Sequence, residues 1–140
     1  MKQQDYIRQV IEAYLDLPDT PNVASPGDFR IAAVMDDEGV PIAHVLRAIK
    51  LAFIRRWVRT DSANRLPKIH SLAYFRKVLD GLTEEELSSD FALYVDYKFD
   101  SIRPDPKAWL DAQKKMLTDP SKVNDKPGVN DQIPLILNSR

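Results

Sequence analysis

Two histidines, two acidic runs and one dense basic cluster are the side chains in this 140-residue sequence whose types could do chemistry. His44 and His70 stand apart. Neither belongs to H-E-x-x-H, the helical pairing that holds zinc beside a general base. No serine lies in the G-x-S-x-G turn that exposes a nucleophile. There is no cysteine, which removes disulfides, thiolate nucleophiles and cysteine-based zinc sites. Four glycines are few, and they form no loop that could cradle phosphates. Asp36-Asp37-Glu38 and Glu84-Glu85-Glu86 are runs of adjacent carboxylates, but neighbours in sequence do not face one another on a helix. The D-x-D-x-D-G spacing of a calcium loop does not occur. Both runs read as helix ends. The sequence therefore predicts a non-enzymatic protein with no catalytic residue, no metal ligand and no cofactor.

The basic cluster is the constellation that suggests a function. Residues 41–79 carry Arg47, Lys50, Arg55, Arg56, Arg59, Arg65, Lys68, Arg76 and Lys77 against Asp61, a net of +8. The chain has 20 Lys+Arg and 21 Asp+Glu, so the remainder holds 11 basic and 20 acidic side chains, a net of −9. The overall charge of −1 hides this division, which says more about partners than the sum does. Arg55 and Arg59 are four residues apart and share a helical edge, where like charges repel by ~0.2–0.5 kcal/mol. An anion is expected beside them.

Three sources could supply that anion. The phosphates of a nucleic acid fit arginine forks bidentately. An acidic protein partner would serve. So would the acidic second, fifth or sixth helix of the same chain. The preferred reading is nucleic acid, DNA ahead of RNA, held by Arg47, Lys50, Arg55, Arg56, Arg59, Arg65, Lys68, Arg76 and Lys77. Tyr74, at the edge of an apolar stripe, could stack on a base. Phosphate contacts position without specifying, so binding should tolerate sequence. The alternative is a protein-interaction adaptor that sets the same basic surface against an acidic partner.

These residues need elements to hold them. Apolar residues spaced three and four apart predict a first helix from Lys2 to Leu17, on Tyr6, Ile7, Val10, Ile11, Tyr14 and Leu15. Pro18 and Pro21 end it. Ser25-Pro26-Gly27-Asp28 predicts a capped second helix to about Asp36, with Phe29, Ile31, Ala32, Val34 and Met35 as its apolar set and Gly39 as its stop. Pro41 opens a third helix to about Arg59. Ile42, Val45, Leu46, Ile49, Phe53 and Trp57 form one stripe, and Leu51, Ile54 and Val58 add a second face. A helix apolar on two sides is central.

A loop over 61–68 follows, then a fourth helix capped by Ser71, Leu72 to Leu82. Thr83-Glu84-Glu85-Glu86 is a capping box expected to open a fifth helix on Leu87, Phe91, Tyr94 and Val95, ending near Phe99. Asp105-Pro106 caps a sixth, to about Leu117, using Trp109, Leu110, Ala112 and Met116. From Asp119 the prolines at 120, 127 and 134 argue against a packed element, although Ile133 to Leu137 could dock in extended form. The expected fold is all-α, a compact bundle of five to six helices around a central helix near 41–59. The helical domain is 1–118, and 119–140 is a flexible or loosely docked tail. No apolar run has the length of a signal peptide or a membrane span, so a soluble cytoplasmic protein is expected.

VLRAIKLA at Val45–Ala52 and SLAYFRKVLD at Ser71–Asp80 resemble the C-terminal helical module of DnaD-type replication-initiation proteins. That module pairs an alanine-rich amphipathic helix with a short aromatic-apolar one. Ala48, Ala52, Tyr74, Phe75, Val78 and Leu79 match in type. The resemblance covers residues 40–82. It departs after the final helix, where the family usually has tryptophan and this chain has Leu82. SLAYF also resembles segments of bacterial mobile-element proteins. The resemblance implies an all-α fold, binding to DNA or a primosome partner in a replication or mobile-element setting, and no catalysis. Oligomeric state is left open.

Overall fold

A computed structural model describes residues 1–18, 20–58 and 68–118, with Leu117 and Thr118 by their backbone alone. The expected 61–67 part of the loop, Arg59, Arg65 and the 119–140 tail lie outside the described residues. Six helices follow in order: α1 Gln3–Leu15, α2 Pro26–Asp37, α3 Ile42–Val58, α4 Ala73–Asp80, α5 Ser89–Ile102 and α6 Pro106–Thr118. The described residues contain no strand. The protein is an all-α bundle. α3 is its hub, packing against α1, α4, α5 and α6, while α2 packs on α1.

The composition of α3 explains that position. Val45, Ala48, Ile49, Leu51, Ala52, Phe53, Ile54 and Trp57 are all buried, so its C-terminal half is covered all round. Phe53 meets Phe99 of α5 edge-on at 5.4 Å. Tyr14 of α1 meets Phe75 of α4 the same way at 5.7 Å. Edge-on pairs of this kind add to the area they bury, and they seat α5 on α3 and α4 beside α1.

α2 begins as expected. Ser25 Oγ accepts the Asp28 N–H, and Asp28 Oδ2 accepts the Ser25 N–H, the reciprocal capping box. It ends at Gly39, whose φ of 77° is open to glycine. There Val40 N–H reaches Met35 O and Gly39 N–H reaches Asp36 O, which satisfies two terminal carbonyls. The apolar set was too wide. Asp28, Ala32 and Met35 are buried, whereas Phe29 and Val34 are exposed. α2 has one main partner, α1, and a helix covered on one side buries a narrow stripe.

Two helix starts differ from expectation. Ser71 does not cap α4. Its Oγ accepts the Ala73 N–H two residues on, and the helix begins at Ala73 with Leu72 at the N-cap. The Leu72 N–H is taken instead by the buried Asp28 carboxylate, 2.9 Å away. The Thr83–Glu86 box forms, with Glu86 N–H on Thr83 Oγ1 and Thr83 N–H on Glu86 Oε1, but it closes a single turn. α5 starts at Ser89, capped by Ser88. The Glu86 carbonyl, which a continuous helix would use, accepts from Arg47 instead, while the Ser88 carbonyl takes Arg47 in addition to the Ala92 N–H of α5. α6 starts as expected, Asp105 Oδ1 accepting the Ala108 N–H.

Candidate nucleic-acid interface

The basic residues of 41–79 can be followed one at a time. Arg47, half-buried on α3, donates from Nη1 to the carbonyls of Glu86 at 2.8 Å and Ser88 at 3.0 Å. Lys50 pairs with Asp96 of α5 at 2.9 Å and lies over the Phe99 ring. Arg55 pairs with the buried Glu86 carboxylate. Arg76 pairs with Glu38, just beyond α2, at 2.8 Å and with Asp80 one turn on at 3.1 Å. Those contacts, led by the Glu38 hydrogen bond, hold the Arg76 guanidinium above its usual pKa. The anion expected beside Arg55 is thus supplied by the chain.

The rest of the set divides by exposure. Arg56 is buried, its guanidinium 5.8 Å from the centre of the Tyr74 ring. Lys68 and Lys77 are exposed, and neither makes an ion pair among the described residues. Tyr74 is 38% exposed and rests edge-on against Phe75 at 5.2 Å. Positions 73, 74, 77 and 80 are exposed along α4, the three- and four-residue spacing of one helical face. Tyr74 and Lys77 therefore share the outer face of α4, and Lys68 and His70 lie exposed on the segment leading into it.

Glu86, expected at a helix end, does more than cap a turn. It is 1% exposed and receives Arg55 from across the fold. The T-x-x-E spacing signals the cap, but nothing local signals the partner 31 residues earlier. Asp28 is similar: its cap was legible and its bond to Leu72 was not. Among the described residues, no group of three His, Cys, Asp or Glu could hold a metal ion. An open cleft of about 400 Å³ lies between α1, α3 and α5, with Gln9, Glu12, Asp16, Lys50 and Phe99 on its walls. Neither histidine lines it, and Lys50 there is committed to Asp96.

No helix among the described residues is long and apolar enough to cross a membrane. The chain matches no protein-family model, no curated protein and no solved structure.

Proposed function

We propose that the protein is a non-enzymatic binding module that holds a nucleic-acid backbone, DNA in preference to RNA, on the outer face of α4. The observation that carries this reading is that Tyr74 and Lys77 share the exposed face of α4, with Lys68 exposed on the segment leading into it, and that neither lysine has an ion pair among the described residues. Phosphate binding requires cations not already neutralised, and an exposed ring offers a base a stacking surface. Arg56 behind Tyr74 adds a cation–π contact that steadies the ring. Arg47, Lys50, Arg55 and Arg76 serve in this reading as scaffold, since their donors are engaged within the chain. The resemblance of residues 40–82 to the DnaD-type module supports a replication setting, and that of SLAYF to bacterial mobile-element proteins a mobile-element one.

Two uncommitted lysines make a small footprint. A phosphate contact contributes roughly 0.7–0.9 to the slope of log affinity against log salt, so a slope near −1.4 to −1.8 is expected. The test is fluorescence anisotropy with single- and double-stranded DNA across salt concentrations, for wild type and Lys68→Ala/Lys77→Ala. The double variant should flatten the slope to near zero, and Tyr74→Ala should weaken single-strand binding selectively. A folded wild type that binds neither form at low salt sinks the reading.

One observation favours an acidic protein partner on the same face. Glu38 and Asp80 pair with Arg76, the residue before Lys77, and these carboxylates oppose a run of phosphates while tolerating a partner with separated carboxylates. Binding to an acidic peptide but not to DNA would select that alternative.

A further inference from the structure

α5 carries a second surface of opposite character. Leu93 is 74% exposed and Tyr97 is 68% exposed. They are four residues apart and adjacent on the helix. Asp90 lies three residues before Leu93, and Asp100 three after Tyr97. The order is acid, apolar, apolar, acid at spacings of three, four and three, which keeps all four on one stripe of a helix for ~15 Å. Asp90 and Asp100 are exposed and make no ion pair among the described residues. Asp96, also exposed, flanks the stripe with Lys50 as its partner. No lysine or arginine stands on the stripe. Lys98, the one cation of α5, is half-buried on another side, its ammonium 5.4 Å from the Trp109 ring of α6. The core does not need Leu93 or Tyr97, because Val95, Phe99 and Ile102 seat α5.

We propose that this stripe docks a basic amphipathic helix of another protein, one that sets two apolar side chains against Leu93 and Tyr97 and a lysine or arginine near each of Asp90 and Asp100. The 3-4-3 spacing is that of a helix–helix seam; here the apolar knobs stand at its centre and a carboxylate at each end, where opposite charge on the partner is favoured. Charge complementarity selects a basic occupant. An acidic helix would bring like charges together at both ends, and a lone apolar segment would leave both carboxylates partly dehydrated without a counter-charge. The surface lies on α5 and does not rest on the nucleic-acid reading of α4.

The probe is a synthetic helical peptide with Lys, Leu, Leu and Lys at the same spacing on an alanine–glutamine background. Its control has Glu in place of both lysines. Titration into the ¹⁵N-labelled full-length protein should shift amides of residues 89–102, and the Lys peptide should bind at least tenfold more tightly than the Glu peptide. Leu93→Ala/Tyr97→Ala should weaken binding at least tenfold, and Asp90→Asn/Asp100→Asn should erase the preference for Lys over Glu. All four positions are exposed, so the variants should keep the wild-type melting temperature. Equal binding of both peptides, or shifts confined to other helices, overturns the proposal. So does a wild-type dimer that Leu93→Ala/Tyr97→Ala disperses, which assigns the stripe to a second copy. Tighter peptide binding by full-length Ile133→Ser/Leu137→Ser would likewise assign it to the chain's own C-terminal segment.

Discussion

The Arg55 guanidinium on α3 and the Glu86 carboxylate before α5 form an ion pair in which the acid is 2% exposed at its side chain and the base 26%. Glu86 also receives the Thr83 N–H and hydroxyl, while Arg47 takes its carbonyl. Two arginines of α3 thus hold the α4–α5 connection. Losing one partner of a buried pair costs ~3–5 kcal/mol. Arg55 is partly open to water and can rehydrate, so Glu86→Ala should fall at the low end of that range in urea unfolding. Arg55→Ala should destabilise as well and leave the salt dependence of DNA binding unchanged. A flatter salt slope for Arg55→Ala, at wild-type stability, would show that Arg55 meets phosphate rather than Glu86.

Asp28 links the starts of two helices. One carboxylate caps α2 through Ser25 and accepts the Leu72 N–H at the N-cap of α4, and it is 1% exposed. Asp28→Ala keeps the Ser25 cap but removes the carboxylate half of the capping box, a hydrogen bond worth ~1 kcal/mol, and leaves the buried Leu72 N–H unpaired, a further cost of ~1–3 kcal/mol. The sum, about 2–4 kcal/mol, should appear in the unfolding midpoint. Asp28→Asn should recover part of it, since one amide oxygen can still accept. A loss below about 0.5 kcal/mol would mean that water satisfies the Leu72 N–H equally well.

Most local signals read well here, the Ser71 cap excepted, and distant ones did not. The Ser25–Asp28 box, the Gly39 stop and the two-faced pattern of α3 are short-range features set by spacing, and each was legible. The Thr83–Glu86 box was legible too, but the helix behind it was not, because Arg47 from 39 residues away takes the carbonyl that would have extended it. The basic cluster shows the same limit. Nine cations against Asp61 look uncompensated along the chain, yet Glu38, Glu86 and Asp96 reach them from elements outside it. The Leu93–Tyr97 stripe left a faint trace, since both residues fall off the face marked by Phe91, Tyr94 and Val95.

Trp57 closes the apolar stripe of α3 and is 9% exposed. Truncating a buried tryptophan costs ~3–5 kcal/mol. Trp57→Ala should lose at least ~3 kcal/mol in urea unfolding, and its fluorescence contribution should be blue-shifted in the wild type. The indole N–H is buried without a hydrogen-bond acceptor among the described residues, so Trp57→Phe should recover more stability than a polar-donor role would allow. A Trp57→Ala loss under about 1 kcal/mol would place the ring at a surface and reopen a binding role.

Three tyrosines give the fold an alkaline limit. Tyr6 donates to Val40 O at 2.8 Å, and burial followed by the Asp36 charge pushes its pKa up to about 12. Burial and then Asp28 raise Tyr14 to about 12, and burial alone does so for Tyr94. The unfolded phenol ionises near 10. Between pH 10 and 12 the unfolded chain therefore loses protons that the folded chain keeps. Stability fully present below pH 10 falls as the pH rises toward 12. Urea midpoints at pH 7, 9, 10 and 11 should be level up to 9, begin to fall at 10 and drop further at 11. Tyr14→Phe isolates one contribution: its hydroxyl is buried without a hydrogen-bond partner among the described residues, and the ring contact with Phe75 survives the change. That variant should match or exceed wild type at pH 7 and lose less between 10 and 11. Tyr6→Phe should instead cost ~1 kcal/mol at pH 7, because it leaves the Val40 carbonyl without its donor. Absorbance near 295 nm provides the check, and a folded protein whose tyrosines all ionise near pH 10 would contradict the burial of Tyr6, Tyr14 and Tyr94.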